Sequence, residues 1–203
     1  MTHVEAYEDF IPVPRAARLK LPLALDRPDG FVVSDPESWP RVHGRLEFYD
    51  RRLWFMPPCG DEQQDVAVSV VSGLHGWARK SGDYVVGGNE AGILLDGEAR
   101  GADAAVWLRE SLPPRTGRFR TVPPILAVEV AGLDEDERDL RQKAQWYFAK
   151  GVKLVWLVLP RTREVVVLTK GGRTRRVKNG DAIPATPLLP GLTLRARDCF
   201  DQL

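Results

Sequence analysis

The sequence predicts an α/β protein in which a mixed β-sheet is flanked by helices. Short runs of β-branched and apolar residues recur along the chain, and two longer stretches carry apolar residues at helical spacing. With 203 residues, 43% of them hydrophobic and 28% charged, the chain has the length and composition of one ordinary globular domain. Strands and helices that interleave in this way usually form a sheet with helices packed against it.

An irregular N-terminal arm is predicted over residues 1–33, and a folded domain over residues 34–203. Prolines interrupt any regular period in the arm, at Pro12, Pro14, Pro22 and Pro28. The domain begins with Ser34-Asp35-Pro36-Glu37, which predicts a short helix because proline lies in the first turn and acidic residues lie near the positive end of the helix dipole.

The first half of the domain is predicted to contain a hairpin, a long helix and three strands. Residues 45–49 and 53–56 form the hairpin. Between residues 61 and 80, apolar side chains recur three and four positions apart, which favours a helix despite its valines. The next strands are predicted at residues 84–86, 92–95 and 104–107.

The second half is predicted to contain a buried strand, a second helix and a closing group of strands. The strand covers residues 125–131 and the helix covers residues 137–150. The β-branched runs at residues 154–159 and 165–169 flank a turn, and Gly171-Gly172 indicates one further hairpin.

Two carboxylates are associated with apolar strands and form the candidate functional site. Glu129 is one acid among six apolar residues of the strand 125–131, and Asp103 directly precedes the apolar run Ala104-Ala105-Val106-Trp107. A buried charge is costly unless it is paired or bound to a metal. Two carboxylates on neighbouring strands are suited to Mg²⁺ or Mn²⁺, so the pattern indicates a divalent metal site.

Lys143 is the candidate cation of this site. It lies at the margin of the apolar stripe of the second helix, where its stem can cover apolar surface while its ammonium reaches a neighbouring site. Two structural alternatives stay open from the pattern alone. The acids form a buried salt bridge with Lys143 or Arg141, or Lys143 forms a surface pair with Asp139 one turn earlier.

Several blocks of the chain, in order, resemble a bacterial family described as putative restriction endonucleases, within the PD-(D/E)XK nuclease superfamily. The resemblance extends from about Glu37 to Phe200. The matching blocks are Gly44-Arg45-Leu46-Glu47, Phe55-Met56-Pro57-Pro58, Glu90 to Leu95, Ala102 to Trp107, Leu126 to Val130, Arg138-Asp139-Leu140 with Lys143 and Tyr147, Gly151-Val152, Val155 to Val158, and Leu188 to Leu192.

The resemblance implies a restriction-endonuclease-like fold and a Mg²⁺- or Mn²⁺-dependent endonuclease that hydrolyses DNA. Asp103, Glu129 and the carbonyl of Val130 would be metal ligands, Lys143 the catalytic cation and Glu47 an auxiliary acid. A homodimer is expected, because cutting both strands requires two sites. From parity alone, Glu47 could instead be a solvent-facing hairpin residue.

The chain also departs from the family pattern, which keeps a second function open. Ala102 replaces the proline before the first acid, and Ala131 occupies the position where the superfamily motif has lysine. Gln63-Gln64 stands where the family often has histidine. The alternative is therefore a catalytically inactive binding or regulatory module that has kept the nuclease fold.

A basic segment near the C-terminal strands is a candidate DNA contact. Residues 161–178 contain seven basic side chains and one acid, and the arginines that we expect to contact phosphates are Arg161, Arg163, Arg173, Arg175 and Arg176. Basic residues also protect exposed sheet edges from aggregation, so that alternative stays open. The net charge of +1 predicts no bulk electrostatic attraction to nucleic acid.

The remaining composition indicates a cytoplasmic protein. Cys59 and Cys199 are too few and too far apart for a disulfide framework or a zinc cluster. No segment resembles a secretory leader or a membrane span, so we expect no membrane association.

Overall fold

The structure is a computed structural model that describes residues 21–203, so the predicted arm lies mostly outside the described residues. Within this range the chain forms nine strands and two α-helices. In chain order they are β1 (Leu23–Leu25), β2 (Arg45–Tyr49), β3 (Arg52–Met56), α1 (Asp61–Ser81), β4 (Tyr84–Leu95), β5 (Glu98–Leu108), β6 (Leu126–Val130), α2 (Glu137–Ala149), β7 (Leu154–Leu159), β8 (Glu164–Thr169) and β9 (Arg175–Lys178). None of the helices in this range is long and apolar enough to cross a membrane.

All nine strands belong to one mixed sheet, which confirms the predicted fold class. The order of hydrogen-bonded neighbours is β1-β3-β2-β5-β6-β7-β8-β9, with β4 paired to β5 outside this path. Only β6 and β7 are parallel, and α2 is the crossover between them. The other paired strands are antiparallel.

The two helices cover opposite faces of the sheet. On one face, Val66, Val70 and Leu74 of α1 share a core cluster with Ala104, Val106 and Val128. On the other face, Leu140, Ala144 and Tyr147 of α2 share a cluster with Ala105, Ala127 and Val155. Odd-numbered residues of β6 therefore face α2, because side chains alternate along a strand.

Strand β5 branches the sheet, and this branching positions the candidate site. One edge of β5 pairs with β4 along most of its length. On its other edge, β5 pairs with β2 at Ala99 and with β6 from Ala104 onwards. Residues 100–103 therefore span the place where β2 and β6 diverge. At such a divergence, polar side chains can reach backbone groups that a neighbouring strand would otherwise occupy.

Both helices have a defined cap at one end. Gly82 closes α1 in the left-handed region at φ 77°, which suits glycine because it lacks a Cβ. Asp136 caps α2 by accepting hydrogen bonds from the N–H groups of Arg138 and Asp139, and Asp139 completes the capping box. The α2 cap fixes the start of the helix that carries Lys143.

Four local predictions differ from the structure. Residues 84–86 and 92–95 belong to one strand, β4, with a bulge between Gly88 and Ala91, and β5 begins at Glu98 instead of residue 104. The predicted arm includes β1, which pairs with β3. The predicted helix near Pro36 is one turn of 3₁₀ helix at Pro36–Ser38. Polar and glycine residues inside a strand interrupt the alternation of apolar and polar side chains, so the sequence pattern predicts strands that are too short.

Candidate active site

Asp103 and Glu129 are brought together at the divergence of β2 and β6. Ala104 of β5 pairs with Val128 of β6, and continuing this register by one residue places Asp103 opposite Glu129. The backbone N–H of Val130 donates to Oδ2 of Asp103 at 2.7 Å, so the Asp103 side chain is fixed to the residue that follows Glu129. Both residues are buried, with Glu129 only 1% exposed and Asp103 7% exposed. The predicted acidic pair is thus a spatial pair.

Glu129 faces α2 and is hydrogen-bonded through both carboxylate oxygens. The Tyr147 hydroxyl donates to Oε1 at 2.5 Å, and the Lys143 ammonium lies 3.2 Å from Oε2. Residues 143 and 147 lie one turn apart on the same side of α2, so both side chains can contact the Glu129 carboxylate. Burial and the neighbouring Glu129 raise the pKa of Tyr147 well above its usual value, which keeps the phenol protonated as a donor.

Asp103 is the less well compensated acid of the pair. Burial, and then the charge of Glu129, raise its pKa to about 7 despite the Val130 N–H and the nearby cations. Arg45 is the closest described cation, with its guanidinium 3.7 Å from Oδ1 of Asp103 and 3.5 Å from Oε1 of Glu90. Asp103 therefore ionises with difficulty, and a bound cation beside it would favour its ionised form.

Lys143 forms a buried salt bridge with Glu129 and does not form the surface pair with Asp139. Its ammonium lies 3.2 Å from Oε2 of Glu129 and 3.0 Å from Oε1 of Glu135, and its side chain is 12% exposed. Burial lowers the pKa of Lys143, but Glu129, Glu135 and Glu47 outweigh it and the pKa is raised overall. Lys143 is therefore a permanent cation. The surface pair with Asp139 is wrong, because Lys143 points to the buried acids.

Glu47 lies in the same polar cluster and is not solvent-facing. Its side chain is 1% exposed. Nε of Arg100 donates to Oε2 of Glu47 at 2.9 Å, and Nη2 of Arg100 lies 2.8 Å from the same oxygen. The N–H of Gly101 donates to its Oε1 at 3.1 Å. Burial opposes ionisation, but Arg100, Lys143 and Arg45 together lower the pKa of Glu47. Glu47 thus anchors the segment that leads to Asp103.

The carbonyl of Val130, predicted as a metal ligand, accepts a hydrogen bond from Gln63. The Gln63 amide nitrogen lies 3.0 Å from this oxygen, and the side chain is buried at the start of α1. A carbonyl oxygen has two lone pairs, so one remains for a second partner. Gln63 therefore positions the acidic strand relative to α1.

Charge and donor chemistry make this cluster compatible with a divalent cation. Its five carboxylates and three cations leave two negative charges in excess if all are ionised; the members are Glu47, Glu90, Asp103, Glu129 and Glu135 with Arg45, Arg100 and Lys143. Across residues 21–203, no three His, Cys, Asp or Glu side chains form a metal-binding group by themselves. A metal here would therefore need the two acids together with the Val130 carbonyl and water.

The predicted DNA-contact arginines divide into two groups. Arg176 pairs with Glu137 at 2.5 Å and Glu164 at 2.6 Å, and Arg163 donates to the carbonyl of Leu203 at 2.7 Å. The exposed side chains of Arg161, Arg173 and Arg175 form no ion pair with the described residues. The first group has structural partners, and the second group is more available to an external phosphate.

Comparisons with known proteins identify the family and the fold. A family model described as "Uma2: Putative restriction endonuclease" matches residues 33–197. The chain belongs to this family. A solved structure, described as a putative nuclease belonging to DUF820 from Anabaena variabilis ATCC 29413, has a TM-score of 0.72 and 14% sequence identity; the match covers 84% of this chain and 98% of that one. At this identity the likeness shows the shared fold. No curated protein matches the chain.

Membership of the putative restriction endonuclease family confirms the resemblance seen in the sequence. The cations Arg45 and Arg100 were not predicted as site residues, and Tyr147 was assigned to the apolar stripe of α2. A signal for Arg45 existed, because it lies two positions before Glu47 and shares its side of the strand. Arg100 gave no comparable signal, since its partner is distant in sequence.

Proposed function

We propose that this family member is a Mg²⁺- or Mn²⁺-dependent endonuclease that hydrolyses DNA phosphodiester bonds. The observation that carries the proposal is the pairing of Asp103 and Glu129 on adjacent strands, with Lys143 against Glu129. The set consists of two acids and one cation. Ala131 occupies the position where the superfamily motif has lysine, and Lys143 of α2 supplies the positive charge instead. The raised pKa of Asp103 supports it, because a buried acid that lacks compensation favours a bound cation.

The metal would be held by Asp103, Glu129 and the Val130 carbonyl. A bound divalent cation supplies a more acidic water and charge neutralisation at the phosphate. Lys143, as a permanent cation, stabilises negative charge that develops on the phosphate and is unsuited to accept a proton. Tyr147 orients the Glu129 carboxylate through its hydrogen bond. Glu47 acts as the auxiliary acid by holding Arg100 and Gly101 beside the acidic pair.

A second candidate function is the inactive binding or regulatory module. The observation that favours it is that the proposed ligand atoms are already used within the protein: both oxygens of Glu129 and the carbonyl of Val130 each have a protein partner. In this alternative the acids and Lys143 only hold α2 to the sheet. Both functions predict a stable fold, so metal binding and cleavage must separate them.

The deciding experiment is calorimetric titration of Mn²⁺ into the wild type and into the Asp103→Asn, Glu129→Gln double variant. The exposed Glu62→Gln change is the matched control. We expect binding and Mn²⁺-dependent cleavage of plasmid or oligonucleotide DNA in the wild type and in the control, and loss of both in the double variant. A folded wild type that neither binds Mn²⁺ nor cleaves any DNA form would support the inactive module.

Two further expectations belong to this proposal. A homodimer would place one site on each strand of a duplex, and sedimentation equilibrium with and without DNA measures this stoichiometry.

Cytoplasmic location stays a prediction from the sequence. Cys59 and Cys199 are free cysteines in the structure, and burial raises the pKa of the Cys199 thiol to about 12. That thiol is therefore unreactive near neutral pH.

A further inference from the structure

A cavity of about 440 Å³ lies beside the candidate active site. Its wall includes Trp39 and Phe119, whose ring centroids are 5.4 Å apart, and Arg41. The Trp39 indole is held in place by donating to the Val33 carbonyl at 3.2 Å. A volume of this size is in the range of pockets that hold small organic groups.

The cavity and the acidic pair share a wall. Arg45 lines the cavity and also lies 3.7 Å from Asp103, and Glu90 lines the cavity beside it. Nε of Arg45 is buried without a hydrogen-bond partner among the described residues. An unpaired buried donor is costly, so a ligand that offers an acceptor here would be stabilised. A strand whose phosphate lies at the acids would place its neighbouring nucleotide at this opening.

The chemistry of the lining suits a nucleobase with its phosphate. Aromatic faces bind any base by stacking, and arginine contributes both phosphate attraction and stacking on planar groups. Arg100 is paired with Glu47, and Arg45 lies near Glu90 and Asp103. Arg41 has no ion-pair partner among the described residues, so it gives the cavity lining a net positive charge. A base inside a duplex is stacked on both faces and hydrogen-bonded to its partner along one edge, so it would have to leave the helix to enter.

We propose that this cavity binds one unpaired nucleotide next to the scissile phosphate, so that the enzyme acts on bulged, flipped or single-stranded DNA in preference to a continuous duplex. This inference rests on the proposed nuclease function and names its substrate class. Arg41 provides the external charge, and Trp39 with Phe119 provides the stacking surface.

The test uses two DNA duplexes that differ only in the state of one 2-aminopurine. In one duplex it is paired with thymine, and in the other it is an unpaired single-nucleotide bulge. Binding is measured in EDTA, where no cleavage occurs, by anisotropy and by 2-aminopurine emission. We expect the bulged DNA to bind about tenfold more tightly, with an emission change at saturation that the paired DNA lacks.

Arg41→Glu is the test variant, because Arg41 is exposed and forms no ion pair with the other described residues. Arg27→Glu is the matched control, with the same charge change at an exposed residue outside the cavity lining. Arg41→Glu should weaken binding of the bulged DNA about tenfold, and Arg27→Glu should leave it nearly unchanged. Equal affinity for the two DNAs, or equal effects of the two variants, would overturn the inference.

The outcome for the cavity is separable from the outcome for catalysis. Mn²⁺-dependent cleavage with no preference for the bulge refutes the nucleotide cavity and leaves the nuclease proposal intact. Preference for the bulge in EDTA, together with no cleavage under any divalent metal, supports the cavity and refutes the nuclease proposal.

Discussion

Replacing Asp103 by asparagine should stabilise the metal-free protein while abolishing metal binding. The carboxyl group is buried, and its pKa is raised from 3.8 to about 7. At about 1.4 kcal/mol per pKa unit, keeping Asp103 ionised costs the folded state about 4 kcal/mol above neutral pH. Asparagine avoids this cost, and its carbonyl can still accept the hydrogen bond from Val130.

The pH dependence has a definite sign. Because the folded-state pKa of Asp103 lies above its unfolded value, the contribution of Asp103 to the stability of the wild type is most favourable below about pH 4 and becomes less favourable as the pH rises towards about 7. Between about pH 5 and about pH 8 the cost grows by about 2.5 kcal/mol. Asp103 faces Glu129, Lys143 and Arg45, and the two cations are too basic to titrate in this window.

The assay is urea unfolding in EDTA, followed by tryptophan fluorescence, for the wild type and Asp103→Asn at both pH values. The exposed Asp134→Asn change is the control, and it should shift the free energy of unfolding little at either pH. Saturating Mn²⁺ should then stabilise the wild type by about 2.7 kcal/mol at one hundred times its dissociation constant and leave Asp103→Asn unchanged. An advantage of Asn that does not grow with pH would refute the electrostatic reasoning.

Three other changes test the site and the basic segment. Lys143→Met should cost roughly 3 kcal/mol, because it leaves Glu129 buried without its cation, and adding Glu129→Gln should recover more than half of this stability. Folded Lys143→Met should also lose cleavage, and wild-type cleavage by this single variant would remove Lys143 from catalysis. Tyr147→Phe should lower the free energy of unfolding by roughly 2 kcal/mol, measured by urea unfolding, and an unchanged value would mean that its hydroxyl does not support Glu129. Arg173→Ala should reduce the salt dependence of DNA binding by about one phosphate contact, whereas Arg176→Ala should change it less; the reverse order would contradict the structural pairing of Arg176.

The position of Lys143 gives it both a structural and a proposed catalytic role. If Lys143 acted only in catalysis, its removal would spare stability, and if it acted only structurally, its removal would lower the melting temperature. The 3.2 Å contact with Glu129 and the low exposure of Lys143 mean that both losses should occur together. Adding Glu129→Gln recovers the structural part of the loss, because it removes the charge pair as a unit. The catalytic part is measured as cleavage by folded Lys143→Met, since Glu129 is itself a proposed metal ligand.

The sequence by itself determined the fold class, both helices and the identity of the acidic pair. Glu129 was found because a charge within an apolar strand needs a partner, and that requirement is local to residues 125–131.

Only the tertiary structure decided how the acids are compensated. Arg45, Arg100 and Glu47 meet because β2 and β6 diverge along one edge of β5, and such a divergence depends on pairings between distant strands. Gln63 reaches the Val130 carbonyl across 67 positions of the chain. Periodicity reports which side of a strand or helix a residue occupies, but it carries no information about which distant charge lies opposite.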